Sequence, residues 1–393
     1  MHGEEPGRAV DGLLIHDVAV VGGGPAGCAT ALALRRTGVE RVVVVESSDY
    51  DSARVGESIP PDTRLLLRQL GVLDSFLAQD HERCLGSCSS WGSAELGHND
   101  FLVNPFGDGW HLDRLRFDRW IAEQTERSEV EIRRRTIFRD LERGGGRRPI
   151  ELRLTGPGGG PSTVRCRFVV DATGQQARVA RRLGARPRSE DQLVCVAGYL
   201  DAAPGHGLSS LTMLEAVEYG WWYAARLPDG RLTAAVASDP AIVREMGLTR
   251  AASWSAELVR TRHVGPALAG CPLVESRLHV WSAPSTLLDP PAGAGWAAVG
   301  DAASAFDPIS SQGIHKALAD GLRAAPAIVA WLDGNGRPLT EYRNGIAERF
   351  LDYLAMRSHF YGIERRWEDA PFWRRRRAVH PGERREPAGA HGA

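Results

Sequence analysis

The chain has 393 residues, 43% of them hydrophobic, and a formal net charge of −1 at pH 7. A chain of this size buries a substantial core spread over two or three domains, and a charge so near zero creates no global field that would recruit nucleic acid or an anionic membrane. No uninterrupted apolar run reaches about 18 residues and the first ~15 residues are acidic and Gly-rich, so neither a membrane span nor a signal peptide is expected.

Residues 17–27 read D-V-A-V-V-G-G-G-P-A-G, and 19 positions past Gly27 a second apolar run, 42–45, ends on Glu46. This order of strand, glycine turn, helix and strand holds an adenine dinucleotide. Gly22 permits the tight turn, Gly24 lets backbone approach a pyrophosphate, and Gly27 lets the helix over 28–36 pack on the strand. That helix aims its N-terminus at the phosphates, Pro25 and Ala26 of the preceding turn are counted with the cofactor-binding residues, and Glu46 would accept hydrogen bonds from the adenosine ribose hydroxyls.

A loop A-R-V-G-E-S-I-P-P over 53–61 and a helix over 62–71 follow, the helix carrying Leu65, Leu66, Leu67 and Leu70. Residues 87–106 turn polar and strand-like, and a helix is expected over 113–126. Strands are expected at 130–135, 150–154 and 164–170, separated by Gly-rich hairpin signals at 144–146 and 156–160. Residues 193–280 contain alternating strands around 211–217, 221–227 and 232–237 and a helix over 249–262. This block interrupts the nucleotide-binding pattern and is read as a sheet that roofs the cofactor and forms the substrate pocket. Six scattered cysteines, Cys28, Cys84, Cys88, Cys166, Cys195 and Cys271, form no zinc-like double pair. No metal site is expected, and reduced thiols suit a cytoplasmic protein better than a Cys84–Cys88 redox pair.

Near the far end, residues 295–319 read G-W-A-A-V-G-D-A-A-S-A-F-D-P-I-S-S-Q-G-I-H-K-A-L-A. Asp301, at a strand end, is placed to bind polyol hydroxyls. After Pro308, the backbone N–H groups of Ser311 through Gly313 to Ile314 form a helix N-terminus that favours the negative charge of a reduced flavin. Between the two segments lies V-V-D-A-T-G, 169–174. Three such segments in this order resemble the FAD-dependent oxygenases of the p-hydroxybenzoate hydroxylase fold, over roughly residues 15–375.

The resemblance implies an α/β architecture: a Rossmann-like FAD-binding domain with an inserted, mainly antiparallel β substrate domain and C-terminal helices. The expected divisions are 15–84, 107–190 and 281–335 for FAD, 85–106 and 191–280 for substrate, 336–380 for C-terminal helices, and 381–393 for a disordered tail. Arg374–Arg377 reads as a solvated basic run. The resemblance further carries Arg114, in R-L-R-F-D, to a place along the FAD, and Arg54 and Ser58 to the loop beside the flavin ring and ribityl chain.

Flavin-dependent halogenases share this fold and resemble one another in W-x-W-x-I-P and in a lysine, a little after the G-E-x loop, that handles hypohalous acid. This chain has neither motif, and its one lysine is Lys316. Arginine cannot replace an amine whose proton must move. Four further segments, 89–93 (S-S-W-G-S), 100–114, 219–228 (Y-G-W-W-Y-A-A-R-L-P) and 360–376, resemble the flavoproteins that hydroxylate protein-bound tryptophan in quinone-cofactor maturation. The resemblance implies O₂ as co-substrate, a flavin C4a-hydroperoxide, and an aromatic small-molecule or peptide-bound tryptophan substrate, an indole being favoured. Residues 171–174 lack the D-G form that helps single-component hydroxylases admit a nicotinamide, so NAD(P)H would act directly or through a partner flavin reductase.

Trp91, Trp110, Trp221, Trp222 and Tyr223 are read as an aromatic wall for the substrate. His111, Glu215 and His315 are the polar candidates for a general base, and the sequence selects none of them. Three other readings stand beside hydroxylation. They are halogenation, a reductase or dehydrogenase of the geranylgeranyl-reductase type, and a non-catalytic flavoprotein that presents a peptide.

Overall fold

The computed structural model describes residues 14–51, 56–144 and 149–377. Arg54 and the 381–393 segment therefore lie outside the described residues. The chain divides into two compact units, one of Met1–His81, Leu112–Glu190 and Thr286–Ile346 and one of Glu82–His111, Asp191–Ser285 and Ala347–Ala393. The C-terminal helical segment is not a division of its own. Helix Arg337–Ile363 starts in the first unit, and its residues from 347 onward belong to the second.

The first unit is built on an eight-stranded sheet. Strand Ile15–Val21 lies between Val42–Val45 and Pro161–Asp171, parallel to both, and Glu131–Arg133 and Trp296–Ala298 extend the parallel order on either side. Val18, Ala19, Val20 and the run Val42–Val45 are buried, as expected of central parallel strands covered on both faces. Two antiparallel strands, Ile137–Glu142 and Ile150–Thr155, continue from Pro161–Asp171; the first of them was not foreseen.

Helix Pro25–Arg36 follows the first strand and begins three residues earlier than expected, with Pro25 at its first turn. Helix Gly313–Leu332 packs on it, and Gly321 shows why. A Cβ there would lie 2.7 Å from the Thr30 nitrogen, so only glycine permits the approach.

The second unit is a seven-stranded, mostly antiparallel sheet in the order His279–Ser282, Val194–Leu200, Leu232–Ser238, Gly220–Arg226, Thr212–Val217, Gly86–Ser90, Gly97–Asp100. Its register places Trp222, Ala224, Val196, Ala234 and Val236 on one face, packed with Trp254 and Leu258 of helix Ala251–Val259. Strand alternation puts Trp221 and Tyr223 on the other face. A short antiparallel pair, Glu82–Cys84 with Gly109–His111, completes the unit's strands described here.

Candidate functional site

In the first unit, the glycine loop leaves no space for side chains. Gly22 has φ +107°, and a Cβ on it would lie 2.2 Å from the Ala172 oxygen. A Cβ on Gly27 would lie 1.9 Å from the Gly22 oxygen, which is the strand-to-helix packing expected of that position. Gly24 is the extended N-cap residue of helix Pro25–Arg36, and no side chain caps that end. Its first N–H groups and the helix dipole form an anion-binding terminus.

Gly23 is pinned from three sides. Its N–H donates to Glu46 Oε2 at 2.7 Å, and its oxygen accepts from the Tyr50 hydroxyl at 2.9 Å and the Cys28 thiol at 3.0 Å. Glu46 also accepts from the Ser48 N–H and hydroxyl, at 2.7 and 2.6 Å, and is 4% exposed. The carboxylate thus ties the tip of the second strand to the loop. Tyr50 and Gly23 were not singled out in the sequence, because neither belongs to the glycine spacing.

The decisive contact joins two segments far apart in the chain. Gly300, at φ +59°, brings the Gly-Asp step so close to the first turn of helix Pro25–Arg36 that a Cβ would lie 2.6 Å from Ala26 Cβ. Asp301 follows directly and keeps 43% of its side chain exposed, with the Lys316 ammonium 3.8 Å away. Pro308 starts a short 3-10 turn, Ser311 ends it in the left-handed region at φ +50°, and Gly313 opens helix Gly313–Leu332 with nothing within 4 Å of where its Cβ would be. That helix also has no side-chain cap. Two uncapped helix starts, a half-exposed carboxylate and glycines at closest approach fit a dinucleotide, in one compact unit.

Arg114 begins helix Arg114–Arg127, whose N-cap Asp113 accepts from the Arg116 N–H. Its Nε and Nη2 hold Asp118 at 3.2–3.3 Å and its Nη1 donates to the Gly56 oxygen. Ser58 lies half-buried in the two-residue strand Ser58–Ile59. Between Gly56 and Ser58, Glu57 is 6% exposed, and burial pushes its carboxyl above the ordinary range against its own backbone N–H, the Arg114 charge and the Gly56 N–H. Asp171 is fully buried and accepts from Thr173 and the Ala180 N–H, so the V-V-D-A-T-G aspartate braces the fold.

The structure separates the three base candidates. His315 faces Thr63 at 3.2 Å and Asp62 at 3.6 Å, joining helix Gly313–Leu332 to helix Thr63–Leu70, and burial lowers its proton affinity. Glu215, in the second unit, corrects the expectation. Its oxygens accept the N–H groups of Arg262, His263 and Val264 at 2.6–2.8 Å, which uses the carboxylate to cap the helix starting at Val264. His111 is fully buried, with Nε2 3.0 Å from the Thr212 hydroxyl and Nδ1 without a partner. Burial and the Arg226 charge push it down to about 4, so it is neutral at pH 7.

The aromatic wall is also corrected. Trp222 is core: it is fully buried, meets Trp254 edge-on at 5.1 Å and donates to the Tyr219 hydroxyl. Trp221 donates to the Tyr361 hydroxyl at 3.0 Å, and Trp91 donates to the Phe360 oxygen at 2.7 Å while packing on Tyr361 and Trp373. Trp110 is 6% exposed in strand Gly109–His111, and Tyr223 is half-buried on the sheet face opposite Trp222. The arginine run is not a solvated tail either. Helix Pro371–Arg377 seats Arg375 and Arg376 on Asp239 at 2.7 and 2.9 Å, and Arg376 is 3% exposed.

Residues 16–246 match the family described as an FAD binding domain. The chain is similar to the putative FAD-dependent oxidoreductase LodB of Marinomonas mediterranea, at 31% identity over 92% of this chain and 97% of that one. A myxobacterial chondrochloren halogenase has a similar structure, with a TM-score of 0.85 at 25% identity over 94% of this chain and 87% of that one. A peptidyl tryptophan dihydroxylase of tryptophylquinone cofactor biogenesis gives 0.72 at 27% identity, over 92% and 78%. No helix among the described residues is long and apolar enough to cross a membrane.

Proposed function

The chain belongs to the FAD-binding-domain family and is an FAD-dependent oxidoreductase, and from that premise we propose that it is a monooxygenase hydroxylating an electron-rich aromatic ring, an indole in a free or peptide-bound tryptophan-derived substrate. The observation that carries the choice is the state of Lys316. It is the chain's one lysine. Its ammonium sits 3.4 Å from Asp320 and 3.8 Å from Asp301, its side chain 8% exposed. An ammonium held by two carboxylates on a helix does not supply the mobile amine of a halogenase, and no arginine substitutes for it.

FAD, when bound and reduced, would supply the two electrons that activate O₂, one oxygen atom passing to the ring and the other leaving as water. The chain's own residues bind and orient. The open N-terminus of helix Pro25–Arg36 takes the pyrophosphate, Glu46 and Asp301 accept from ligand hydroxyls, and Arg114 and Ser58 line the ring and ribityl chain. The N-terminus of helix Gly313–Leu332, from Pro308 through Ile314, favours negative charge on the reduced ring. Trp110 and Tyr223 are assigned to stack the substrate ring. His111 is assigned to hold the substrate proton, because its neutral imidazole has an unpaired Nδ1. Reducing equivalents come from NAD(P)H, directly or through a partner flavin reductase.

Halogenation is the second reading, favoured by the 0.85 TM-score to the chondrochloren halogenase. Mixing pre-reduced holoprotein with O₂, bromide and indole substrates, free and within peptides, separates the two by mass spectrometry. Hydroxylation gives a product heavier by one oxygen whether or not bromide is present. A brominated product overturns the proposal, as does O₂ consumption with no oxygenated product.

A further inference from the structure

The Gly-Asp step is wedged between two helices of the first unit. A Cβ on Gly300 would lie 2.6 Å from Ala26 Cβ, at the start of helix Pro25–Arg36, and 3.7 Å from Ala317 Cβ, in helix Gly313–Leu332. That packing sets Asp301 beside Lys316, the residue before Ala317. The lysine is buried, its ammonium lies over the Phe306 ring at 5.2 Å, and it faces Asp320 at 3.4 Å and Asp301 Oδ1 at 3.8 Å.

The two carboxylates depend on that ammonium unequally. Asp320 is 2% exposed and has a second cation in Arg323, 3.7 Å away. Asp301 is 43% exposed and has Lys316 as its one ion-pair partner among the described residues. The other charges acting on Asp301 are Asp320, on the same helix as Lys316, and Arg114, on helix Arg114–Arg127. Desolvation by the surrounding fold pushes the Asp301 carboxyl above the ordinary range; Lys316 draws it back, Asp320 adds to the rise and Arg114 opposes it. An ionised carboxylate only accepts hydrogen bonds, whereas protonation turns one of its oxygens into a donor.

We propose that Lys316 is a positioning residue for FAD. It does not touch the ligand; it holds Asp301 Oδ1, and so keeps the carboxylate ionised with Oδ2 turned to a hydroxyl of the bound dinucleotide. The inference rests on the FAD reading of Asp301. Without the ammonium, Asp301 stands near Asp320 with no ion-pair partner and takes up a proton more readily. FAD affinity then falls as pH falls through the raised Asp301 value.

FAD titration of the apoprotein by flavin fluorescence, at pH ~6 and ~8, tests this in wild type, Lys316→Met, Asp301→Asn and the double variant, read as a cycle. Relative to wild type, Lys316→Met should bind FAD about tenfold more weakly at pH ~6 and about threefold more weakly at pH ~8. In the Asp301→Asn background the same substitution should change affinity less than about twofold at either pH, because the group it acts through is gone. An equal loss in both backgrounds makes Lys316 merely structural and overturns the proposal, as does a loss that does not grow as pH falls. If Lys316→Met fails to fold because Asp320 is left buried and short of a cation, Lys316→Met/Asp320→Asn removes both charges and takes its place in the cycle, with the same expectations. A wild type that binds no FAD, or Asp301→Asn that binds it as tightly as wild type, overturns the FAD reading of Asp301 and this inference with it. A cycle without coupling overturns the inference alone.

Discussion

The two units differ in which polar groups they leave open. In the sheet unit, three buried or part-buried carboxylates are paired within the protein. Glu215 takes three backbone N–H groups, Glu364 takes the Gly92 N–H and Arg366, and Asp191 takes Ser285 and Arg357. In the nucleotide unit, two helix N-termini have no side-chain cap and Asp301 is half-exposed. Buried polar groups in a finished core are satisfied internally. Groups left open at the carboxyl ends of the parallel strands, where the glycine loop and the Gly-Asp step lie, therefore mark where a ligand completes the structure.

The largest expected effect breaks the nucleotide unit outright. In Gly27→Ala the new Cβ would meet the Gly22 oxygen at 1.9 Å, so helix Pro25–Arg36 must lift off its strand. A loss of more than about 4 kcal/mol, with no flavin bound, is expected by denaturant titration and flavin content. Ordinary stability with FAD retained would refute the packing argument. Next in size is Trp222→Ala, which opens a cavity against Trp254 and should cost about 3–5 kcal/mol. Tyr223→Ala, one residue on and on the other face, should cost less stability and raise KM for the aromatic substrate. If the two variants behave alike, the face assignment is wrong.

This contrast also explains what the sequence makes legible. Gly22, Gly27 and Asp301 could be read because backbone approach and strand ends impose fixed residue types at fixed spacings. The tryptophans could not be sorted, because a large aromatic suits a core and a stacking surface equally well. Only register separates Trp222 from Tyr223, and only the C-terminal helices reveal the partners of Trp91 and Trp221. Three of the four segments that carry the resemblance, 89–93, 219–228 and 360–376, meet in one clasp through Trp91–Phe360, Gly92–Glu364 and Trp221–Tyr361. Their shared pattern reports packing as much as chemistry. Glu215 looked like a base because its three N–H donors are 47–49 residues away in sequence.

A smaller effect sharpens the contrast within the nucleotide unit. Asp301 has Lys316 as its ion-pair partner, at 3.8 Å, and that ammonium has Asp320 closer, at 3.4 Å. Asp301→Ala should leave the melting temperature of the apoprotein within a few degrees while weakening FAD about tenfold, a loss of roughly 1.4 kcal/mol. A large drop in apoprotein stability with intact affinity would make Asp301 structural.

The smallest effect compares the units through one imidazole in each. His81 in the nucleotide unit and His111 in the sheet unit are both pushed down to about 4 by burial, helped by Arg116 and Arg226 respectively, from an ordinary 6.5. Above the ordinary value both rings are neutral folded and unfolded, and stability is unaffected. As pH falls below it the unfolded chain takes up protons first, so folded stability drops until the folded-state value is passed. Each ring should contribute about 1 kcal/mol of loss between pH ~6.5 and ~5.5. Asn at either position removes that share, and Asn at 111 retains a group able to bond the Thr212 hydroxyl. Flavin release reports the nucleotide unit and tryptophan emission, dominated by the sheet unit's aromatic core, reports the other. If both signals shift together in each variant, the units unfold as one. If each variant moves only its own signal, the units are separately stable, and a pH profile unaltered in both variants would show that neither ring is held neutral by burial.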